Sequence, residues 1–218
     1  MELKGKKINF LGDSITEGAA VADREHNIYW QRVGIQEGAI TRGYGISGTR
    51  IAKKRVPSNI ARHDLDFIKR ADEMDPDADV VVVFGGTNDF GHGDAPIGKF
   101  TDRTEYTFYG ALHVLCNKLI TKYPSAQIVF MTPLHRLSED NMINENDQPL
   151  ETNLEGFRNI IIEVARYYSI PVLDLWAISG LQPKVDIIKQ TYMKDGLHPN
   201  DLGHKIIADK LIGFLKTL

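Results

Sequence analysis

The chain has 218 residues, enough for one sizeable α/β core and short for two, so a single domain over residues 1–218 is expected. Its 42% hydrophobic and 25% charged content is that of a folded globular chain and excludes a disordered one. A formal charge of −3 leaves no broad cationic surface for a phosphate backbone, so nucleic acid is not an expected partner.

The amino end, Met1 to Lys7, is charged and passes into a strand-length apolar run without the long apolar core and cleavage site of a secretory signal. No segment reaches the ~20 apolar residues of a membrane span. The expectation is a cytoplasmic protein with no membrane partner. Ile8 to Leu11 reads as a first strand, stopped by the polar turn Gly12 to Gly18. Ile28, Tyr29, Trp30 and Val33 then mark a helix to about Glu37, closed by Gly38. Ala39 to Tyr44 suits a second strand, followed by the turn Gly45-Ile46-Ser47-Gly48-Thr49. Lys53-Lys54-Arg55 reads as a solvated charge cluster.

Asp64 to Met74 fits a helix ended by Asp75-Pro76, and Asp79 to Phe84 is an unbroken β-branched run of the kind found in central parallel strands. Gly85 to Gly93 is read as a glycine-rich loop. It lacks the Gly-Lys-Ser/Thr of a Walker loop and the first-strand setting of a dinucleotide fingerprint. Phe108, Leu112, Leu115 and Leu119 mark the next helix, in which the lone cysteine, Cys116, reads as a buried structural thiol suited to a reducing compartment. Gln127 to Met131 is a fourth strand, Ser138 to Pro149 an exposed loop, Leu154 to Tyr168 a helix and Pro171 to Leu175 a fifth strand. The Asp195 to Asn200 turn leads into a last helix with Ile207, Leu211 and Leu215 on its apolar side.

Strands alternating with helices predict a parallel sheet covered on both faces, with right-handed crossovers. The loops at the carboxyl ends of the strands then share one edge, which gathers Ser14, Gly48, Asn88, His135 and the Asp195–His198 turn. A serine hydroxyl needs a base and a group that orients the base, and Asp195 and His198, three residues apart, supply both types. Acyl transfer also needs donors for a developing oxyanion, and the N–H groups of Ser14 and Gly48 with the Asn88 amide are suited to it. Each feature has a plainer reading. Ser14 to Glu17 has the form of a capping box, the Asp/His pair of a turn, Gly48 of an ordinary turn and Asn88 of an Asx turn.

Taken in order, Gly12-Asp13-Ser14-Ile15, Gly48, Gly86-Thr87-Asn88-Asp89 and Asp195-Gly196-Leu197-His198-Pro199 resemble the four sequence blocks of the GDSL/SGNH hydrolases. Ile15 stands where the family's common name has leucine, a volume-conserving change. The resemblance implies a three-layer α/β/α, flavodoxin-like fold with a five-stranded parallel sheet in the order 2-1-3-4-5, and esterase or lipase (acylhydrolase) chemistry. It implies Ser14 as nucleophile, His198 as base and then acid, and Asp195 as its orienting carboxylate. Ser14, Gly48 and Asn88 become the oxyanion donors.

No cofactor or metal is required by this chemistry. The expected partner is a small-molecule ester, with acetyl groups on sugars favoured over long-chain lipids. A metal-dependent hydrolase would draw on Asp13, His92, His135, Asp195 and His198, but the chain lacks a His-Glu-x-x-His or comparable ligand spacing. His92 and His135 are read as surface or structural residues. A carbohydrate-binding module on the same fold is the non-enzymatic alternative.

Overall fold

The computed structural model describes residues 1–218. Five parallel strands, β1 (Lys7–Gly12), β2 (Ile40–Gly45), β3 (Val80–Phe84), β4 (Gln127–Met131) and β5 (Val172–Leu173), lie in the order β2-β1-β3-β4-β5. Phe10 pairs with Gly43 on one side and Val82 on the other. The chain leaves β1 for β2 in one direction and crosses back to β3 in the other, which opens a crevice at the carboxyl end of β1.

Alternation along the strands divides the core in two. Val81, Val83, Ile128 and Phe130 face one layer, formed by α3 (Phe67–Glu73), α4 (Thr87–His92), α5 (Phe108–Lys122) and α6 (Leu154–Tyr167). Val80, Val82, Phe84, Val129 and Met131 face the other, with α1 (Ser14–Glu17), α2 (Tyr29–Glu37), α7 (Leu175–Ile178) and α9 (Asp201–Thr217). All five residues of β3 are buried, as its uninterrupted apolar sequence predicts. Each such side chain contributes about 1.5–3 kcal/mol by leaving water.

Several expected boundaries move, each for a local reason. The helix expected from Asp64 begins at Phe67, because Asp66 caps it by accepting from Lys69 N–H at 2.9 Å, while Ala61–Asp64 forms a separate 3-10 turn. The glycine-rich stretch expected to be a loop contains α4: Gly86 takes a left-handed φ of 103°, and the chain after it coils so that Phe90 is buried against Phe157. β5 ends at Leu173, since Asp174 turns out of the sheet to meet Thr132 and Arg158. The short helices α7 and α8 (Asp186–Tyr192) carry no strong apolar period and were not expected.

The segment expected to be an exposed loop, Ser138 to Pro149, is pinned at several points. Asn144 Nδ2 donates to the Gly93 carbonyl at 2.9 Å, Glu145 N–H to the Gly91 carbonyl at 2.8 Å, and Glu139 is buried. It therefore lies strapped across the end of α4. No helix is long and apolar enough to cross a membrane.

Candidate active site

Ser14 is the first residue of α1, directly after β1. The cap of that helix is Asp13, which accepts from Ile15 N–H at 3.0 Å, so the capping box expected from Ser14 and Glu17 does not form. Glu17 instead accepts from Ser47 N–H at 2.7 Å and pairs with Arg62 at 2.7 Å. Gly12 is required by packing: a Cβ there would lie 1.9 Å from Thr16 Oγ1. The Ser14 hydroxyl, left free of capping duty, lies 2.9 Å from His198 Nε2.

The other ring nitrogen, Nδ1, lies 2.7 Å from Asp195 Oδ2. Asp195 Oδ1 accepts from the N–H groups of Leu197 at 2.9 Å and His198 at 2.7 Å, so one carboxylate folds the turn and holds the imidazole it carries. Partial burial opposes the charge of Asp195. Hydrogen bonds from His198 N–H, the imidazole and Leu197 N–H outweigh it and hold the carboxyl below its ordinary range.

The segments that carry the other expected donors, Gly48 and Asn88, are tied to the end of β1. Ile46 N–H donates to the Gly12 carbonyl at 3.2 Å, which brings the turn after β2 beside the end of β1. Within that turn Gly48 has φ +75°, and a Cβ on it would lie 2.6 Å from the His63 ring. The glycine is thus demanded by its left-handed backbone and by His63. Asn88 Nδ2 donates to the Thr49 carbonyl at 2.9 Å, and Asp89 accepts from Ile51 and Ala52 N–H at 3.0 and 2.8 Å. Two consecutive side chains of α4 therefore clamp the Gly48 turn.

The model of the GDSL-like lipase/acylhydrolase family matches residues 10–206. The chain belongs to that family. A protein from Lactobacillus plantarum of known structure is 29% identical, with 98% of each chain covered and a TM-score of 0.80. A second solved structure is 32% identical over 100% of this chain and 99% of its own, at a TM-score of 0.85. An acetyl xylan esterase, 24% identical over 96% of this chain and 99% of its own, shares the fold at a TM-score of 0.64. No curated protein matches.

Two buried arginines of this GDSL-like hydrolase escaped the sequence reading. Arg70, on α3, donates to the carbonyls of Gly12 at 3.0 Å, Leu65 at 2.8 Å and Tyr44, and to Thr49 Oγ1 at 2.8 Å. It ties the ends of β1 and β2 to the Gly48 turn, and burial lowers it only to about 10, so it remains a cation. Arg50 stands behind Gly48, donating to the Gly48 carbonyl at 3.2 Å and to Asp64 at 3.0 Å. A charged residue on the core face of α3 is the only signal that sequence offered for Arg70. Arg50 offered none.

Burial pushes the carboxyls of Asp13 and Asp89 up to about 6, against their backbone N–H donors. His92, on the far turn of α4, faces Arg50 Nη1 through Nδ1 at 3.1 Å. His135 is drawn into a structural knot: its ring lies 3.8 Å from that of Trp176, and Nδ1 is 2.7 Å from Glu139, which also pairs with Lys184 at 2.8 Å. Beside this knot Leu137 N–H donates to the Gly196 carbonyl at 2.9 Å, joining the exit of β4 to the turn that bears His198. No group of three or more His, Cys, Asp or Glu side chains is placed to hold a metal ion. Asp13, His92, His135, Asp195 and His198, the set that a metal-dependent reading would use, form no such group.

Proposed function

We propose that the protein is a serine esterase acting on small acyl esters. The observation that carries this reading is the continuous chain from Ser14 Oγ through the His198 imidazole to Asp195, at 2.9 and 2.7 Å. His198 takes the hydroxyl proton as Ser14 attacks the ester carbonyl, then returns it to the departing alcohol. Water resolves the acyl-enzyme by the same relay in reverse. Asp195 holds the tautomer with its proton on Nδ1 and stabilises the imidazolium formed on the way. The N–H groups of Ser14 and Gly48 and the free hydrogen of the Asn88 amide receive the negative charge of the tetrahedral intermediate. Each step uses only side chains, backbone and water.

Short acyl groups are part of this reading, and acyl length is what the test below varies. The shared fold of an acetyl xylan esterase supports acetyl esters of carbohydrates as substrates. The test is a hydrolysis series over acyl length, paired with labelling by a serine-reactive phosphonate. Acetyl esters are expected to react fastest, with the label on Ser14. Absence of labelling and of Ser14-dependent hydrolysis would instead point to a binding module.

A further inference from the structure

One wall of the candidate site is lined by imidazole and cationic side chains. His92 follows Asn88 by one helical turn and so shares its face of α4. The His63 ring covers Gly48, and the two imidazole centroids are 6.3 Å apart. Beneath them lies Arg50, 2% exposed, reaching His92 Nδ1 with Nη1 and the His63 carbonyl with Nη2 at 2.9 Å, its Nε buried without a partner. Since His92 Nδ1 accepts from Arg50, the proton of the neutral ring sits on Nε2, away from the guanidinium.

Burial and the Arg50 charge lower His92 to about 4, and burial with Arg50 and Arg62 lowers His63. Both rings are therefore neutral donors at neutral pH, and the charge of the wall belongs to its arginines and lysine. Arg50 pairs with Asp64, Arg62 with Glu17, Lys53 with Glu105 at 2.6 Å and Arg136 with Glu145 at 2.5 Å. Asp94 accepts backbone N–H groups of Arg55 and Val56, both at 2.8 Å. Lys54, half-buried and close enough to act on both imidazoles, makes no hydrogen bond or ion pair.

A lysine with no hydrogen-bond or ion-pair partner, beside ring N–H donors, is suited to a charge-assisted bond with an anion. We propose that Lys54, His63 and His92, backed by Arg50, form an anion subsite that selects esters whose non-reacting part carries a carboxylate or phosphate. This rests on the ester-hydrolase reading above. It gives Lys54 a role distinct from the solvated cluster read from sequence.

Matched acetyl esters test it: 4-acetoxybenzoate against 4-acetoxybenzamide, 3-acetoxypropionate against 3-acetoxypropionamide, and 2-acetoxyethyl phosphate against 2-acetoxyethanol, each corrected for a Ser14→Ala blank. At low ionic strength kcat/KM for an anionic member should exceed that of its neutral partner by about tenfold, and the larger ratio identifies carboxylate or phosphate as the preferred group. The ratio should shrink in about 0.5 M salt, fall to within about twofold of unity in Lys54→Gln and invert in Lys54→Glu. Neutral esters cleaved as fast as every anion, or a ratio unmoved by Lys54→Gln, would overturn the subsite and leave the esterase standing. Loss of Ser14-dependent cleavage across all six esters would overturn both.

Discussion

Asn88 and Thr49 are joined by a single amide hydrogen, Asn88 Nδ2 to the Thr49 carbonyl at 2.9 Å. In the proposed reaction the second hydrogen of that nitrogen serves the oxyanion. Replacing Asn88 by Ala should therefore lower turnover by roughly two to three orders of magnitude, while stability falls by only about 1 kcal/mol. Steady-state kinetics on an acetyl ester and a urea melt measure the two quantities. Turnover close to that of the wild type would remove Asn88 from the reaction.

Asp195 acts on His198 through geometry and charge together. Asp195→Asn keeps the shape of the turn but favours the wrong imidazole tautomer, so turnover should fall by roughly three to four orders of magnitude. The same substitution reports on pH. A carboxyl held below its ordinary range stabilises the fold above the value it has in the unfolded chain, and that contribution is lost as pH falls through the folded value. The stability difference between wild type and Asp195→Asn should thus be constant above about pH 5 and collapse below about pH 4. Melts across that range check it, and a difference independent of pH would contradict the assignment.

Asp13 has the opposite sign. Burial pushes its carboxyl from an ordinary 3.8 to about 6, so the folded state holds the proton more tightly than the unfolded one. Its favourable contribution is complete below the unfolded value and disappears as pH rises through about 6. Asp13→Asn keeps an oxygen for Ile15 N–H and removes the ionisable group. It should be more stable than wild type at pH 7.5 by up to about 3 kcal/mol, with the advantage vanishing near pH 4. An unchanged advantage at pH 4 would show that the effect is not ionisation.

Cys116 is fully buried, and burial pushes its thiol up to about 12. Iodoacetamide at about pH 8 should leave it unmodified in the folded protein and alkylate it in urea. Mass spectrometry separates the two. Rapid labelling of the native protein would place the thiol nearer the surface than this packing allows.

The parts of the site legible in sequence are those built from short local patterns. Asp195 to His198 forms its turn from its own atoms and Ser14 takes its place from β1, so local sequence put both at the sheet edge, while their roles came only from the family resemblance. Local sequence also located β3, whose unbroken valines admit no other reading. Arg70 and Arg50 were hidden because most of their partners are carbonyls, those of Gly12, Tyr44, Gly48, His63 and Leu65, and a backbone acceptor leaves no mark in sequence. The strap from Ser138 to Pro149 was read as an exposed loop from its polar composition, and most of its residues are exposed. Its anchors, Glu139 and Asn144, bury polar atoms by bonding them, which composition does not record. The strap's apolar residues Met142 and Ile143 remain exposed, so hydrophobicity could not have placed it.

The link from Leu137 to Gly196 means that the imidazole-bearing turn takes its position from a segment nearly sixty residues earlier in the chain. Where the polypeptide can be opened follows from this. New termini fit at the exposed tip around Asp147, because the anchors on either side remain attached. A break between Leu137 and Glu139 falls instead beside the bond that seats the imidazole-bearing turn.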